Sequence, residues 1–372
     1  MLERIMTLRN KINKVFYRVL LRPLFFSIDP EKIHNTAISV GKSIDASKFL
    51  QKTVKMAFYY RSPVLEQNIL GIKFQNPIGL AAGFDKDAEI IKTIQAMGFG
   101  FTEVGSITGE FCVGNKKPRL WRLKKSKGLV VNYGLKSAGC EAVSSRLKNE
   151  KFDIPLGISI AKTNSNKTIK IESGIQDYVK AYKAFKDIGS YTAINISCPN
   201  AYGGEPFTDK RKLNLLLAEI KKIKTRKPIF LKLAVDLSEK QIDDIIFLAR
   251  KHKIQGFICG NLTKNRDNHN LKEKVVGIGG ISGKPVEELS DNLIKHIYKK
   301  TKGEFVIMGC GGIFTAEDAY RKIKLGSSLV QLITGMIYEG PQLIAEINQG
   351  LVKLLKRDGY KSITQAIGVD VK

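Results

Sequence analysis

The sequence predicts a single (β/α)8 barrel with a small helical extension at its amino end. Three observations predict it. Beyond residue 70, short apolar, β-branched runs alternate with longer stretches of helical period, the alternation yields eight candidate strands, and small, amide and cationic residues gather where those strands end. Continuous apolar strands that are each returned by a helix make a parallel sheet covered on its outer face. Eight such units over roughly 250–300 residues fit a closed barrel better than an open sheet. A doubly wound sheet is the alternative, but no G-x-G-x-x-G follows the first strand.

In chain order, the strands are expected at 76–83, 101–107, 154–161, 191–198, 228–235, 256–261, 305–313 and 329–335. Between them lie AEIIKTIQAMG from Ala88, IQDYVKAYKAFKDIG from Ile175 and KLNLLLAEIKKIK from Lys212. SEKQIDDIIFLARKHK, PVEELSDNLIKHIYKK, TAEDAYRKIKLG and PQLIAEINQGLVKLLKR complete the series. Each places apolar residues at i, i+3, i+4, and several open on Ser, Thr or Pro, as helix starts do. Residues 1–60 are expected to form a helical segment of their own and 61–372 the barrel. In the first segment Ile5, Leu8, Ile12, Val15 and Val19 recur at three- and four-residue steps, so one helix face is apolar. Arg4, Arg9, Lys11, Lys14, Arg18 and Arg22 dominate the remainder, opposed only by Glu3. Such a helix can lie in an anionic membrane interface or pack on the barrel, and the pattern alone leaves both open.

Composition bounds the function. The 372 residues are 43% hydrophobic and 26% charged, which excludes a collagen, a disordered tail and a polytopic membrane protein. Lys and Arg number 62 against 35 Asp and Glu, a net +27 that permits nucleic acid, anionic lipid or an acidic substrate as partner. The lysines are spread along the whole chain, as on solvated helices. No zinc finger, RNA-recognition motif or aromatic-studded basic stretch is present, so no nucleic-acid partner is expected. Five scattered cysteines without a C-x-x-C, and four scattered histidines, predict reduced thiols in a cytosolic setting and no metal site. No apolar run reaches the ~20 residues that cross a bilayer, and the first residues lack the features of a secretory signal.

Barrel chemistry sits at the carboxyl ends of the strands. There the chain carries Gly83-Phe84-Asp85-Lys86, Gly105-Ser106, the stretch from Asn195 through Cys198 to Asn200, Lys232, Asn261, Gly311-Gly312 and Thr334-Gly335. Gly309-Cys310-Gly311-Gly312 before a helix starting near Thr315, together with Thr334-Gly335, predicts an oxyanion site of backbone N–H groups, at the loops where barrels hold phosphate. Lys232, inside the apolar string IFLKLAV, must snorkel or meet a negative partner. Lys86 opens a helix, where a cation hints at an anionic ligand. Cys198 stands among amides and is a candidate base or nucleophile, although a buried cysteine is more often a small hydrophobe. The loop AYGGEPFTDK after it is a candidate lid.

The motifs NPIGLAAGFDKDAE, KPRLWRL, NISCPN, LKLAVDLS, GGISGKP, GCGGI and SLVQLITG, in this order, resemble the dihydroorotate dehydrogenase family, FMN-dependent (β/α)8-barrel enzymes of pyrimidine synthesis. The likeness runs from about Phe25 to the carboxyl terminus. It implies oxidation of (S)-dihydroorotate to orotate, with a proton lost from C5 and a hydride passed from C6 to the flavin. Carried over by motif, Ala82, Gly83, Lys86, Ser106, Asn195 and Lys232 border FMN, as do the positions of Ser159 and Gly260. Gly283, Gly312, Ile333 and Thr334 surround its phosphate. Cys198 is the implied base. Lys86, Asn195, Asn200 and Asn261 are implied at the substrate, with Asn132, Tyr133, Gly134 and Leu135 from the matching loop.

The quinone-using branch of the family has a serine base, whereas Cys198 matches the soluble branch. The quinone-using branch also reads N-R-x-G-F-N where this chain reads Val131-Asn132-Tyr133-Gly134-Leu135-Lys136. Ser159 stands in place of a flavin-contacting asparagine, and Gly260 and Leu262 in place of threonines. LFFSIDPEKIHNTAI nevertheless resembles the quinone branch, whose amino-terminal helices form an apolar entrance, with His34 and Arg122 at the quinone positions. The expectation is therefore a quinone-reducing enzyme held peripherally on the cytoplasmic face of the membrane through its first helix. The alternatives are the same chemistry with a soluble acceptor such as fumarate, an FMN barrel acting on tRNA, and a basic nucleic-acid binder.

Overall fold

The computed structural model describes residues 2–371 apart from 199, 201, 203 and 205. Four helices open the chain: α1 (Leu2–Phe16), α2 (Arg22–Ser27), α3 (Pro30–Asp45) and α4 (Lys48–Phe58). A π turn at Tyr17–Leu21 joins the first two. Asp29 and Ser47 begin α3 and α4, each side chain accepting a first-turn N–H that has no partner within the helix.

The strands are β1 (Gln67–Ile69), β2 (Ile72–Phe74), β3 (Ile78–Leu80), β4 (Phe101–Ile107), β5 (Leu120–Leu123), β6 (Gly128–Val131) and β7 (Leu156–Ile160). Then come β8 (Tyr191–Asn195), β9 (Ile229–Leu233), β10 (Gly256–Cys259), β11 (Gly280–Gly283), β12 (Val306–Cys310) and β13 (Leu329–Leu332). The helices among them are α5 (Ile91–Ala96), α6 (Cys140–Leu147), α7 (Ile171–Ala184), α8 (Lys210–Lys221) and α9 (Glu239–Lys251). The last four are α10 (Glu287–Thr301), α11 (Ala316–Lys324), α12 (Thr334–Glu339) and α13 (Leu343–Arg357).

Eight strands close in the order β3-β4-β7-β8-β9-β10-β12-β13, every neighbouring pair parallel. Each falls inside one of the eight expected runs. All but β4, which fills its run, are shorter than the runs because the run ends bend into loops. Alternate residues point inward and stack in layers. Phe101, Tyr191, Phe230 and Leu329 fill the lowest layer, and Phe74 of the β1–β2 hairpin stops its base, edge-on to Phe101 at 5.4 Å. Two residues further along β4, β9 and β13 lie Glu103, Lys232 and Gln331, all buried. Glu103 accepts from Lys232 Nζ at 3.4 Å, the Tyr191 hydroxyl at 3.3 Å and Gln331 Nε2 at 3.0 Å. Lys232 thus meets its negative partner inside the barrel, one of the two outcomes its apolar surroundings required.

Outside the eight units, β5, β6 and β11 form an antiparallel sheet in the order β11-β6-β5. Its side chains Leu120, Arg122, Leu129 and Ser282 face the cavity at the barrel mouth. Neither this sheet nor α6 was expected.

The amino-terminal helices are held through their polar side. Tyr17 donates its hydroxyl to Ile337 O at 2.6 Å, Lys14 pairs with Glu346 at 2.9 Å, and Arg18 and Lys127 both pair with the buried Glu339. The apolar residues of α1 face outward instead: Ile5, Leu8, Ile12 and Val15 are 53–59% exposed and Val19 64%. Among the described residues no helix is long and apolar enough to cross a membrane.

Candidate active site

One cavity of about 570 Å³ runs from the carboxyl ends of the barrel strands out between α2 and α3. Its inner end is polar. Asp85, buried at the turn after β3, takes the N–H groups of Glu89 and Ile90 at 2.8 and 3.1 Å and so anchors the loop bearing Gly83 and Lys86. Its burial, against those two hydrogen bonds, pushes its carboxyl up to about 6. Lys86 Nζ donates to Gly83 O at 2.7 Å and lies 4.0 Å from the centre of the Tyr133 ring. Enclosure by protein, with the charge of Lys136, pushes the Lys86 ammonium down to about 7. An anion in the cavity would offset that loss.

On the opposite wall, Asn195 at the end of β8 donates to Ser106 Oγ at 2.8 Å, and Ser106 exchanges a 2.8 Å bond with Ser159. Asn195 Oδ1 accepts from Ser197 N and Oγ, and Asn261 donates to Ser197 O and Oγ at 3.0 Å each. These bonds fix two amides at the ends of β8 and β10, beside Cys198. Cys198, Asn195, Asn200 and Asn261 all open on the cavity, as do Lys232 and Gly260.

The expected oxyanion site is partly rebuilt. The helix start near Thr315 is not available, because Thr315 and Asp318 cap α11 reciprocally and Asp318 also takes Phe314 N at 2.9 Å. The cavity is lined instead by Gly283, Gly311, Gly312 and the first residues of α12, Thr334 and Gly335. The first N–H groups of that helix have no carbonyl within it. Gly312 has φ +72°, and a Cβ there would stand 2.3 Å from Glu287 Cβ, so the close packing of this turn needs glycine. Ser282 and Thr334 share a 2.9 Å hydroxyl bond at its edge.

The outer end is apolar, walled by Phe25, Phe26, Ile33, Ala37 and Val40. Where the two ends meet, His34 Nε2 lies 2.8 Å from Phe84 O. A carbonyl only accepts, so Nε2 carries the proton and Nδ1 presents a lone pair. Burial and the Lys86 charge push the imidazole down to about 3, so it is neutral. His34 Nδ1 and the Tyr133 hydroxyl are both buried without a partner among the described residues. Arg122 donates to Ile28 O at 2.7 Å and lies over the Phe26 ring at 4.7 Å.

Most of the site residues named from sequence therefore reach one cavity. Ala82, Gly83, Ser106, Ile333, Gly134 and Leu135 line it as well. Two do not. Ser159 is fully buried behind Ser106. Asn132 is turned outward, accepting from Asn115 Nδ2 at 2.9 Å and lining a separate surface depression, while Val131 faces the cavity in its place. The adjacency explains this: neighbouring residues of a strand end point to opposite faces. Within the expected lid, residues 201, 203 and 205 lie outside the described residues, as does Pro199.

Sequence reasoning missed Lys162, which follows β7 and is buried with Nζ 2.6 Å from Tyr202 O. Burial lowers its ammonium, and the charges of Cys198 and Asp177 oppose the fall. The rule that barrel strands end in working residues pointed to it. Asn115, Asn164 and Arg119 were also missed, because their roles are long-range hydrogen bonds that local pattern does not carry.

The fold and this mouth define a class: (β/α)8-barrel proteins that take a ligand at the carboxyl ends of their strands. The profile of the family described as dihydroorotate dehydrogenase matches residues 64–355. Curated relatives are named dihydroorotate dehydrogenase (quinone): that of Trichormus variabilis is 37% identical, covering 96% of this chain and 99% of the relative. That of Christiangramia forsetii is 39% identical, covering 91% and 99%. The crystal structure of the Eimeria tenella enzyme with ferulenol superposes with a TM-score of 0.82 at 30% identity, covering 92% of this chain and 96% of that one. The chain belongs to the dihydroorotate dehydrogenase family.

Proposed function

We propose that the chain oxidises (S)-dihydroorotate to orotate in pyrimidine synthesis, with FMN as its cofactor and a membrane quinone as electron acceptor. The family is flavin-dependent, and the residues here suit FMN. Lys232, backed by Glu103, offers a cation to an electron-rich ring, Ser106 and Asn195 offer polar edges, and the turn at Gly283, Gly311, Gly312 and Thr334 offers backbone N–H groups to a phosphate. When bound, FMN supplies the two-electron acceptor for the hydride leaving C6. Cys198 Sγ takes the proton leaving C5. Lys86, Asn195, Asn200 and Asn261 hold the substrate carboxylate and amide groups, and Val131, Leu135 and Leu262 supply apolar walls.

The observation that carries the reading is the single cavity joining this polar end to an apolar passage between α2 and α3. A quinone, an apolar ring with two neutral carbonyls, loses far less by entering that passage than fumarate, whose two carboxylates would be stripped of water against Phe25, Phe26 and Ile33. His34 Nδ1 and the Tyr133 hydroxyl are the polar atoms a quinone would meet at its inner end. The outward apolar face of α1, with Arg4 and Lys11 beside it, supports peripheral attachment to an anionic membrane, on the cytoplasmic side.

Stopped-flow absorbance tests this. Dihydroorotate should bleach the FMN-loaded protein, and a quinone should restore the colour faster than fumarate does. Cys198→Ala should keep its flavin and lose about 10²–10⁴-fold in the rate of bleaching. A wild type that stays yellow refutes the substrate, faster fumarate refutes the acceptor, and unchanged bleaching in Cys198→Ala refutes the base.

A further inference from the structure

Arg119 touches no part of the reaction just described, yet it ties both ends of the cavity together. It is 5% exposed, immediately before β5. Its Nε lies 3.1 and 3.3 Å from the two Glu31 carboxylate oxygens, and Nη2 donates to one of them at 2.8 Å. Nη1 donates to the carbonyls of Val113 at 2.8 Å and Asn115 at 2.9 Å. The guanidinium carbon sits 5.1 Å from the centre of the Tyr133 ring. Gly114 leaves room for this: a Cβ there would come within 2.8 Å of Nη1 and 2.2 Å of Tyr133 O.

Two of these partners, Glu31 and Asn115, belong to different ends. Glu31 is in the first turn of α3, the helix that carries His34 and walls the apolar passage. Asn115 is the junction of the substrate-side loops. Its Nδ2 donates to Asn132 Oδ1 at 2.9 Å and Asn200 O at 3.1 Å, its Oδ1 accepts from Asn164 at 3.0 Å, and its N–H donates to Tyr133 O at 3.0 Å. Asn200 in turn donates to Val131 O at 2.8 Å. Burial alone would raise the Glu31 carboxyl, but the hydrogen bonds and charge of Arg119, with Lys117, hold it below its ordinary value. Glu31 is therefore held as a carboxylate beside the guanidinium, and removing one partner strands a buried charge.

We propose that Arg119 is a positioning residue: through Glu31 and Asn115 it seats the substrate-side loops at Asn115, Val131–Leu135 and Asn200 against helix α3, and thereby sets the affinity for the substrate. The proposal rests on dihydroorotate being that substrate. A planar guanidinium with both its edges used cannot be replaced by a point charge. Small displacements of binding groups cost much in affinity while leaving the base in place.

The test uses the FMN-loaded full chain as wild type, Arg119→Lys, Glu31→Gln and the double variant. Orotate affinity is read from the change in flavin absorbance, and bleaching kinetics are read by stopped flow. In Arg119→Lys the orotate Kd and the dihydroorotate concentration for half-maximal bleaching should both rise about 10–100-fold. The limiting bleaching rate should stay within about threefold and the flavin content should match wild type. The double variant should be no weaker than Arg119→Lys alone, since the two side chains act as one unit. Should Arg119→Lys fail to fold, Glu31→Gln carries the same expectation, with about a tenfold rise. Wild-type affinity in the variants, or a loss confined to the limiting rate, overturns the proposal. A wild type that dihydroorotate does not bleach instead overturns the substrate on which it rests.

Discussion

Lys86 shows how a single side chain can report its ligand. With its ammonium pushed down to about 7 by enclosure and by Lys136, the free protein gives up that proton near neutrality. An anionic ligand needs it back. The sign follows: between about pH 7 and 9, orotate binding should take up a proton, and its Kd should rise with pH by up to about tenfold per unit. Lys86→Met should bind weakly with a flat profile. Titrating orotate into the flavin protein across this range measures it, and a flat wild-type profile would mean that Lys86 does not face the anion. Residues such as Lys86, Cys198 and Asn261 were legible in the sequence because each closes an apolar run, and barrels work where strands end. The outward turn of Asn132 was not legible, since motif matching aligns letters and not faces. The loss of the helix start at Thr315 was legible in principle, for T-A-E-D spells the capping box that consumes those N–H groups.

Among the elements, α1 is the clearest case of a pattern whose meaning depends on its neighbours. Its period announced an apolar face, yet Lys14, Tyr17 and Arg18 dock on α12 and α13 while Ile5, Leu8, Ile12 and Val15 remain outside. An exposed apolar stripe with flanking cations fits the boundary of an anionic bilayer. Deleting residues 1–22 should abolish flotation with anionic liposomes. Ile12→Asp should weaken it at least about tenfold, as an apolar contact is exchanged for a repelled charge, while leaving bleaching by dihydroorotate unchanged. Undiminished flotation would place the membrane contact elsewhere. The β5-β6-β11 sheet illustrates the opposite limit. Gly280 pairs with Val131 across about two fifths of the chain, and four-residue strands carry too little period to predict such a partner.

For the molecule as a whole, the barrel floor sets stability and the mouth sets function. Phe101 is fully buried, with Phe74 edge-on at 5.4 Å. Phe101→Ala should lose about 3–5 kcal/mol in urea unfolding, through lost burial and the cavity left behind. Because Glu103 two residues on anchors Lys232, flavin content should fall with it. A loss below about 1 kcal/mol would mean that the floor collapses to fill the void.

By itself the sequence determined the eight strands, their helical returns and the chemical types at the rim, because burial writes its period directly into neighbouring residues. Only the tertiary structure decided which way α1 faces, that Lys232 lies against Glu103, and that Arg119 links Glu31 to Asn115. Those outcomes depend on groups brought together from distant parts of the chain, where charge and hydrogen bonding act through space and leave no local repeat to read.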